Sequence, residues 1–210
     1  MYNGTYQNNS LYGKGLVFDG VDDYVDVGDA GFMNNYSVCA WINIKGDVFN
    51  KYHSIVSRGA VFDTNTTFSM SLRNSSGSFR LANYWNAGVT GHEAVLSTFP
   101  TNDIWTQLCS IWNGTSLMLY QDGSIESTTS ESPAPIDGSQ NTLIGKPFTT
   151  DHANDVYFNG SIDEVMIFNQ SLTAQQILDI YNNQSARFKS QGLQTLKQFN
   201  ITSGNNTINL

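Results

Sequence analysis

Charge is scarce in this chain. Asp, Glu, Lys and Arg make up 13% of its 210 residues, and 10 cations face 18 acids for a formal net charge of -8. Nucleic-acid surfaces need Lys and Arg to neutralise phosphates. The deficit argues against nucleic acid, and against an anionic membrane surface, as partners. It is compatible with a bound divalent cation, although acidic surfaces commonly serve solubility alone. Long apolar runs are missing too. No stretch approaches the ~18 residues of a membrane span, so membrane insertion is not expected. Met1-Tyr2-Asn3-Gly4 lacks the basic start and apolar core of a secretory leader, which leaves the compartment to other signs. Histidine is rare, and His53, His92 and His152 have no metal-ligand spacing. No nucleophile elbow or phosphate loop occurs.

Gly, Asn, Ser and Thr are plentiful instead, a mixture that suits strands and turns. The length fits one domain with some excess. Alternating or β-branched segments recur at 15–27, 36–45, 54–58, 67–72, 79–85, 105–112, 117–125, 142–145 and 161–168. The stretches 86–103 and 127–140 read as loops, and 146–157 as a loop carrying Asp151, His152, Asn154 and Asp155. One short helix is expected after 168. Thr173 is its N-cap, Gln176 completes a capping box, and Leu172 and Ile177 take the staple positions. Ile177 and Tyr181 share a face, and Asn182-Asn183 is the expected stop. Beyond it, 198–202 and 207–210 are strand-like.

Cys39 and Cys109 both fall in buried-strand patterns. An even pair on extended segments suggests one bridge, the alternative being two small buried thiols. Asn-x-Ser/Thr sequons are dense, beginning at Asn3, Asn8, Asn35, Asn65, Asn74, Asn113, Asn159, Asn169, Asn183, Asn200 and Asn205. Each is a glycosylation candidate in an exported chain, although Asn, Ser and Thr bias alone also raises the count. Cysteines and sequons together point to the cell exterior or cell surface.

Several motifs resemble one family. Gly15-Leu16-Val17-Phe18-Asp19-Gly20-Val21-Asp22-Asp23-Tyr24-Val25 and Ser161-Ile162-Asp163-Glu164-Val165-Met166-Ile167-Phe168 look like the first and last strands of laminin-G-like domains, relatives of the concanavalin-A-like lectins and the pentraxins. Leu119-Tyr120-Gln121-Asp122-Gly123 is similar to the family's tight hairpin, with Asp-Gly suited to a type I′ turn. Thr142-Leu143-Ile144-Gly145 and the terminal helix also fit. The resemblance implies an all-β fold: a two-sheet antiparallel jelly-roll sandwich with one short C-terminal helix over 1–183. Residues 184–210 would then be an extension, either the start of a next module or a strand that joins a neighbouring subunit. The cysteine pair looks like the pentraxin disulfide. The fold hosts binding, adhesion and hydrolysis alike.

Three groups could carry chemistry. The resemblance implies a Ca²⁺ site where an Asp of the last strand meets the first, which selects Asp163, Asp19 and Asp22, with Asp23 in support; hard cations take oxygen ligands. The bland reading of Asp19-Gly20 and Asp22-Asp23 is a turn held by local hydrogen bonds. A second acidic group, Asp63 and Asn65 with Asp151, Asn154 and Asp155, is weaker. Pentraxins carry acid and amide ligands where this chain has Lys146-Pro147-Phe148. For a sugar, Asn83, Tyr84, Trp85, Asn86 and His92 offer aromatic faces with amides and an imidazole; Trp85 could equally be core. Hydrolysis has little support. The Glu-x-Asp-x-x-Glu strand of related glucanases is absent, and adjacent Asp163 and Glu164 should face opposite ways. The expected function is a non-catalytic extracellular recognition or adhesion module that binds glycan or glycoprotein with calcium support. The alternative is a structural subunit of a surface layer or filament, self-assembling through 184–210.

Overall fold

The computed structural model describes residues 5–10, 13–31, 33–46, 51–59, 66–75, 78–83, 92–96, 98–130, 140–147, 155–189, 201–203 and 206–208. In chain order the strands are β1 Thr5–Ser10, β2 Gly13–Asp19, β3 Val25–Asp26, β4 Tyr36–Ile44, β5 Tyr52–Gly59, β6 Thr66–Ser75, β7 Ser78–Asn83 and β8 His92–Val95. They continue as β9 Thr106–Trp112, β10 Ser116–Gln121, β11 Ser124–Ser130, β12 Thr142–Ile144, β13 Asp155–Val156 and β14 Asn159–Phe168. Helix α1, Ala174–Phe188, precedes β15 Ile201–Ser203 and β16 Asn206–Ile208. One sheet has the order β1-β2-β14-β4-β9-β10-β11 and the other β3-β12-β5-β6-β7-β8, with β13 beside β5. The first and last strands of the family motif therefore lie side by side, as β2 and β14. The expected antiparallel jelly-roll sandwich with a terminal helix is what forms. β15 and β16 pair with one another as a separate hairpin.

The two sheets close on one apolar interior. Tyr36, Val38, Ala40 and Ile42 of β4 meet Val56, Phe68, Met70 and Leu72 of the other sheet, with Leu108, Trp112, Leu117 and Leu119 alongside. Alternation sends the odd residues of β4 to the far side. There Cys39 packs with Cys109, Ile111, Tyr120, Leu172 and Ile177, and Trp41 with Trp105 and Phe188. Every residue of β4 from Tyr36 to Ile42 is 0% exposed. Cys39 stands directly opposite Cys109 across β4 and β9. The two form a disulfide with their Cα atoms 4.1 Å apart.

β14 breaks its own alternation. Its pairing with β4 shifts between Asp163 and Met166, and Glu164 takes a left-handed φ of 47°. One inserted residue flips the side-chain parity. Ile162 faces the interior before the bulge, and Val165 and Ile167 face it after. Met166 and Phe168 turn toward the helix. Simple alternation therefore does not describe Asp163 and Glu164.

The helix begins as its sequence indicates, with Thr173 as N-cap and a reciprocal capping box to Gln176. It does not stop at Asn182-Asn183 but runs to Phe188. Tertiary contacts outweigh the weak local propensity of the Asn pair. Phe188 stacks on Trp41 at 4.4 Å between ring centroids. Gln184 Oε1 accepts from Trp41 Nε1 at 2.8 Å and from Gln107 Nε2 at 3.3 Å. Its Nε2 donates to Glu164 Oε2 at 3.2 Å, which ties the bulge to the helix. Lys189 then pairs with Asp122 in the hairpin turn, where Asp122 and Gly123 have the positive φ values of 50° and 78°.

Two loops turned out to contain strands. β8 lies in the Gly-rich 86–103 segment, and β11 extends through the Ser/Thr run to Ser130. Both are edge strands of their sheets. Backbone pairing with one neighbour suffices there, so neither carries a strong apolar signal. At one end of the sandwich the fully buried Arg58 donates to Asp29 Oδ1 at 2.6 Å. That bond, with the Gly31 amide in support, holds the Asp29 carboxyl below the usual range.

Replacing both cysteines by Ala should cost about 2–4 kcal/mol, because the bridge closes a long loop in the unfolded chain; equilibrium unfolding in urea under non-reducing conditions reads this directly. Phe188→Ala should cost about 3 kcal/mol, as for other buried aromatics. A frayed helix end would show less than about 0.5 kcal/mol in the same measurement.

Candidate functional site: a polar cleft beside an acidic turn

Where β2 ends, Gly20 takes a φ of +81° and reverses the chain. Asp19 Oδ1 accepts from the amides of Val21 at 2.8 Å and Asp22 at 3.4 Å. Asp23 folds back, and its Oδ2 accepts from the Asp19 amide at 3.1 Å. The local hydrogen bonds expected of a turn are thus present. They also draw three carboxylates together: among the described residues, one oxygen from each of Asp19, Asp22 and Asp23 lies within 4.8 Å of the others. Burial pushes the Asp23 carboxyl above its ordinary range. The Asp19 amide offsets this in part, and the charges of Asp19 and Asp22 push the same way as burial.

Beside this turn begins β14. Asn159 stands opposite Asp19, so close that a Cβ on Gly20 would lie 3.0 Å from the Asn159 Cβ. Gly160 allows β14 to press on β4: a Cβ there would lie 2.1 Å from the carbonyl oxygen of Asn43. Phe158 is fully buried, edge-on to Phe18 at 6.3 Å, and its amide donates to the Gly145 carbonyl at 2.8 Å. An extended backbone anchored inward at Phe158 presents its neighbours, Tyr157 and Asn159, outward. Across from them, β13 runs parallel to the start of β5, pairing Val156 with His53.

The result is a cleft of ≈ 330 Å³ lined by Asp19, Gly20, Lys51, His53, Val156, Tyr157 and Asn159. A carboxylate, an ammonium, an imidazole, a phenol and a carboxamide converge on one space. Next to it the Lys146 ammonium lies 4.3 Å from the centre of the Tyr24 ring and 5.8 Å from that of Tyr157. These are cation–π distances.

The acids expected to act together are divided. Asp19 and Asp22 are joined by Asp23, but Asp163 is elsewhere. The antiparallel register puts Asn159 opposite Asp19 and Ile162 opposite Leu16, which carries Asp163 about 13 Å along the strand. It is level with Gly15, whose added Cβ would lie 3.7 Å from the Asp163 Cβ. The two motifs are adjacent as expected, while the register between them, which sequence does not encode, separates the acids. Of the sugar candidates, Asn83 and His92 form a cross-strand pair between β7 and β8. Tyr84, Trp85 and Asn86 lie outside the described residues. So do Asp63, Asn65, Asp151 and Asn154 of the second acidic group, and the sequon residues Asn3, Asn200 and Asn205. Asn8 and Asn74 sit in β1 and β6.

Sequence reading passed over Lys51 and Tyr157, considered His53 only for metal spacing, and counted Asn159 only as a sequon. One signal was available for Tyr157 and Asn159. In Tyr157-Phe158-Asn159-Gly160, a polar residue and an amphipathic aromatic flank a core Phe just before a Gly.

Comparison with known proteins agrees with this architecture. The concanavalin A-like lectin/glucanases superfamily matches the chain over residues 19–178. No curated protein sequence matches it. Among solved structures, domain 4 of AbnA, a GH43 extracellular arabinanase from Geobacillus stearothermophilus solved with arabinotriose, superposes with a TM-score of 0.67. The identity is 19%, over 86% of this chain and 82% of that one. The heptameric SAP-like pentraxin of Limulus polyphemus gives 0.63 at 17% identity, covering 79% of this chain and 80% of the pentraxin. The receptor-binding domain of botulinum neurotoxin mosaic serotype C/D gives 0.61 at 18% identity, over 87% of this chain and 45% of that domain. At these identities the likeness is one of fold.

Proposed function

The chain belongs to the concanavalin A-like lectin/glucanases superfamily, and on that footing we propose that it is a non-catalytic recognition module whose cleft between Asp19, His53 and Asn159 binds a glycan, free or on a glycoprotein. The cleft carries the reading. Saccharide hydroxyls donate and accept at once, so their site needs both kinds of group in a small space. Asp19 and the Asn159 carbonyl oxygen accept, Lys51 and the Asn159 amide nitrogen donate, and Tyr157 and His53 can do either. Tyr157 adds an aromatic body able to lie against sugar C–H groups. The similar arabinanase domain was solved with a trisaccharide.

Calcium support belongs to the same proposal. Asp19, Asp22 and Asp23 offer the hard oxygen donors that Ca²⁺ takes. The crowding of their charges around a buried Asp23 is the strain that a cation relieves. Bound there, Ca²⁺ would supply a positive centre for hydroxyl oxygens at the edge of the cleft. Asp19 Oδ1 is already engaged by two amides, which holds the carboxylate in one orientation, as a fixed ligand requires. Action outside the cell fits the disulfide, since such bonds persist in oxidising compartments. The alternative role for 184–210, assembly with a neighbouring subunit, gains nothing specific, since β15 and β16 pair with one another.

A glycan-array screen with Ca²⁺ and with EDTA tests the proposal, using the wild-type chain, Tyr157→Ala and Trp85→Ala. Selective binding that weakens at least about tenfold in Tyr157→Ala, a loss of about 1.4 kcal/mol, is the expected result. Loss in Trp85→Ala alone moves the site away from the cleft. Binding indifferent to EDTA removes calcium from the account, and no binding under either condition overturns the recognition reading.

A further inference from the structure

Among the described residues, three sequons lie together at one end of the fold. β4 starts, and β9 and β14 end, at the pole of the sandwich opposite the cleft, since Tyr36 pairs with Trp112 and Ser37 with Phe168. The residues just outside these strand ends are Asn35, Asn113 and Asn169, and all three are exposed. Each heads an Asn-x-Ser/Thr triplet. Asn35 and the Asn113 loop touch: a Cβ on Gly114 would lie 3.1 Å from Asn35 Oδ1. The Asn169 loop is fastened to the same corner, because Ser37 Oγ donates to the Gln170 carbonyl at 2.8 Å.

Asn113 shows how such a site is prepared. Its Oδ1 accepts from the Thr115 amide at 3.0 Å, the Thr115 hydroxyl at 3.1 Å and the Ser116 amide at 2.8 Å. The sequon hydroxyl thus engages the carboxamide oxygen, and the carboxamide nitrogen is the atom left to react. Three other sequons differ. Ser37, the hydroxyl residue of the Asn35 sequon, is 0% exposed, and its Oγ is engaged by the Gln170 carbonyl and the Leu172 amide. Asn159 is half-buried in the cleft, and its Ser161 is 1% exposed. Asn183 is exposed, but it lies inside α1. Two helical residues apart means about 200° of rotation, so Ser185 cannot reach the Asn183 carboxamide; its hydroxyl donates instead to the Asn182 carbonyl at 3.4 Å.

We propose that Asn113 and Asn169 carry N-linked glycans, forming a crown on one pole, while Asn35, Asn159 and Asn183 stay bare. The donor is an oligosaccharide on a polyprenyl phosphate or diphosphate, used by a transferase in the exporting cell. The asparagine Nδ2 attacks the anomeric carbon, forming the C1–N bond. The C1–O bond to phosphate breaks, the polyprenyl phosphate or diphosphate leaves with that electron pair, and one Nδ2 proton passes to a transferase base. A crown so placed shields one end by bulk and hydration. The inference does not depend on what the cleft binds.

The chain is expressed through a eukaryotic secretory pathway, and its peptides are released by peptide-N-glycosidase in ¹⁸O water and mapped by mass spectrometry. Label at Asn113 and Asn169, with little at Asn35, Asn159 or Asn183, is expected. Thr115→Ala should remove the Asn113 label alone and leave the chain secreted. Label at Asn35, Asn159 or Asn183 comparable to that of the crown overturns the proposal. So does an unlabelled crown in cells that modify a control glycoprotein.

Discussion

Strand β4 has no solvent-facing side. Its even residues, Val38, Ala40 and Ile42, close the interior between the sheets. Its odd residues, Cys39 and Trp41, take the bridge to β9 and the stack with Phe188. A strand buried on both faces must satisfy two layers at once, which an open sandwich sheet normally need not do. Here the second layer is a single helix. Its docking orders much of what surrounds it: Gln184 reaches β4, β9 and the β14 bulge, and Lys189 reaches the β10–β11 turn. The disulfide lies under this helix, packed against Leu172 and Ile177, so it joins two strands already paired. Its effect falls chiefly on the unfolded chain.

The same strand arrangement creates two unlike poles. At one, β2 ends and β14 begins, and their antiparallel register brings an acidic turn against Asn159. Glycines at 20, 145 and 160 permit the close approach: a Cβ on Gly145 would lie 2.4 Å from the Phe18 ring. At the other pole three strand ends present exposed asparagines. Neither pole is built by a single segment. Each collects residues from distant parts of the chain, as loops on a sandwich do.

Much of the fold was legible because local and long-range signals agree in it. Asp122-Gly123 names its turn, Thr173 and Gln176 name the helix start, and Cys39 and Cys109 name a strand pair. The misses have physical causes. Asn182-Asn183 is a sound local stop overridden by Phe188 and Gln184, whose partners lie in other elements. β8 and β11 are edge strands, held by backbone pairing that leaves little trace in composition. The bulge at Glu164 depends on a contact with the helix that alternation cannot anticipate. The site was half legible for the same reason. Asp19 and Asp22 are neighbours in sequence and meet through their own turn. Asp163 was tied to them by motif, and the strand register, a property of two segments together, placed Asn159 there instead.

The central claim is that helix α1 is part of the domain core and not an appendage to the sandwich. Native-state amide hydrogen exchange at increasing urea tests it most directly. The account predicts that amides of β4 from Val38 to Ile42 and of α1 from Ile177 to Gln184 open together, with the same free energy and the same urea dependence. If the α1 amides exchange through a local opening several kcal/mol below that of β4, the helix is a separable attachment, and the two-layer burial of β4 does not govern the fold.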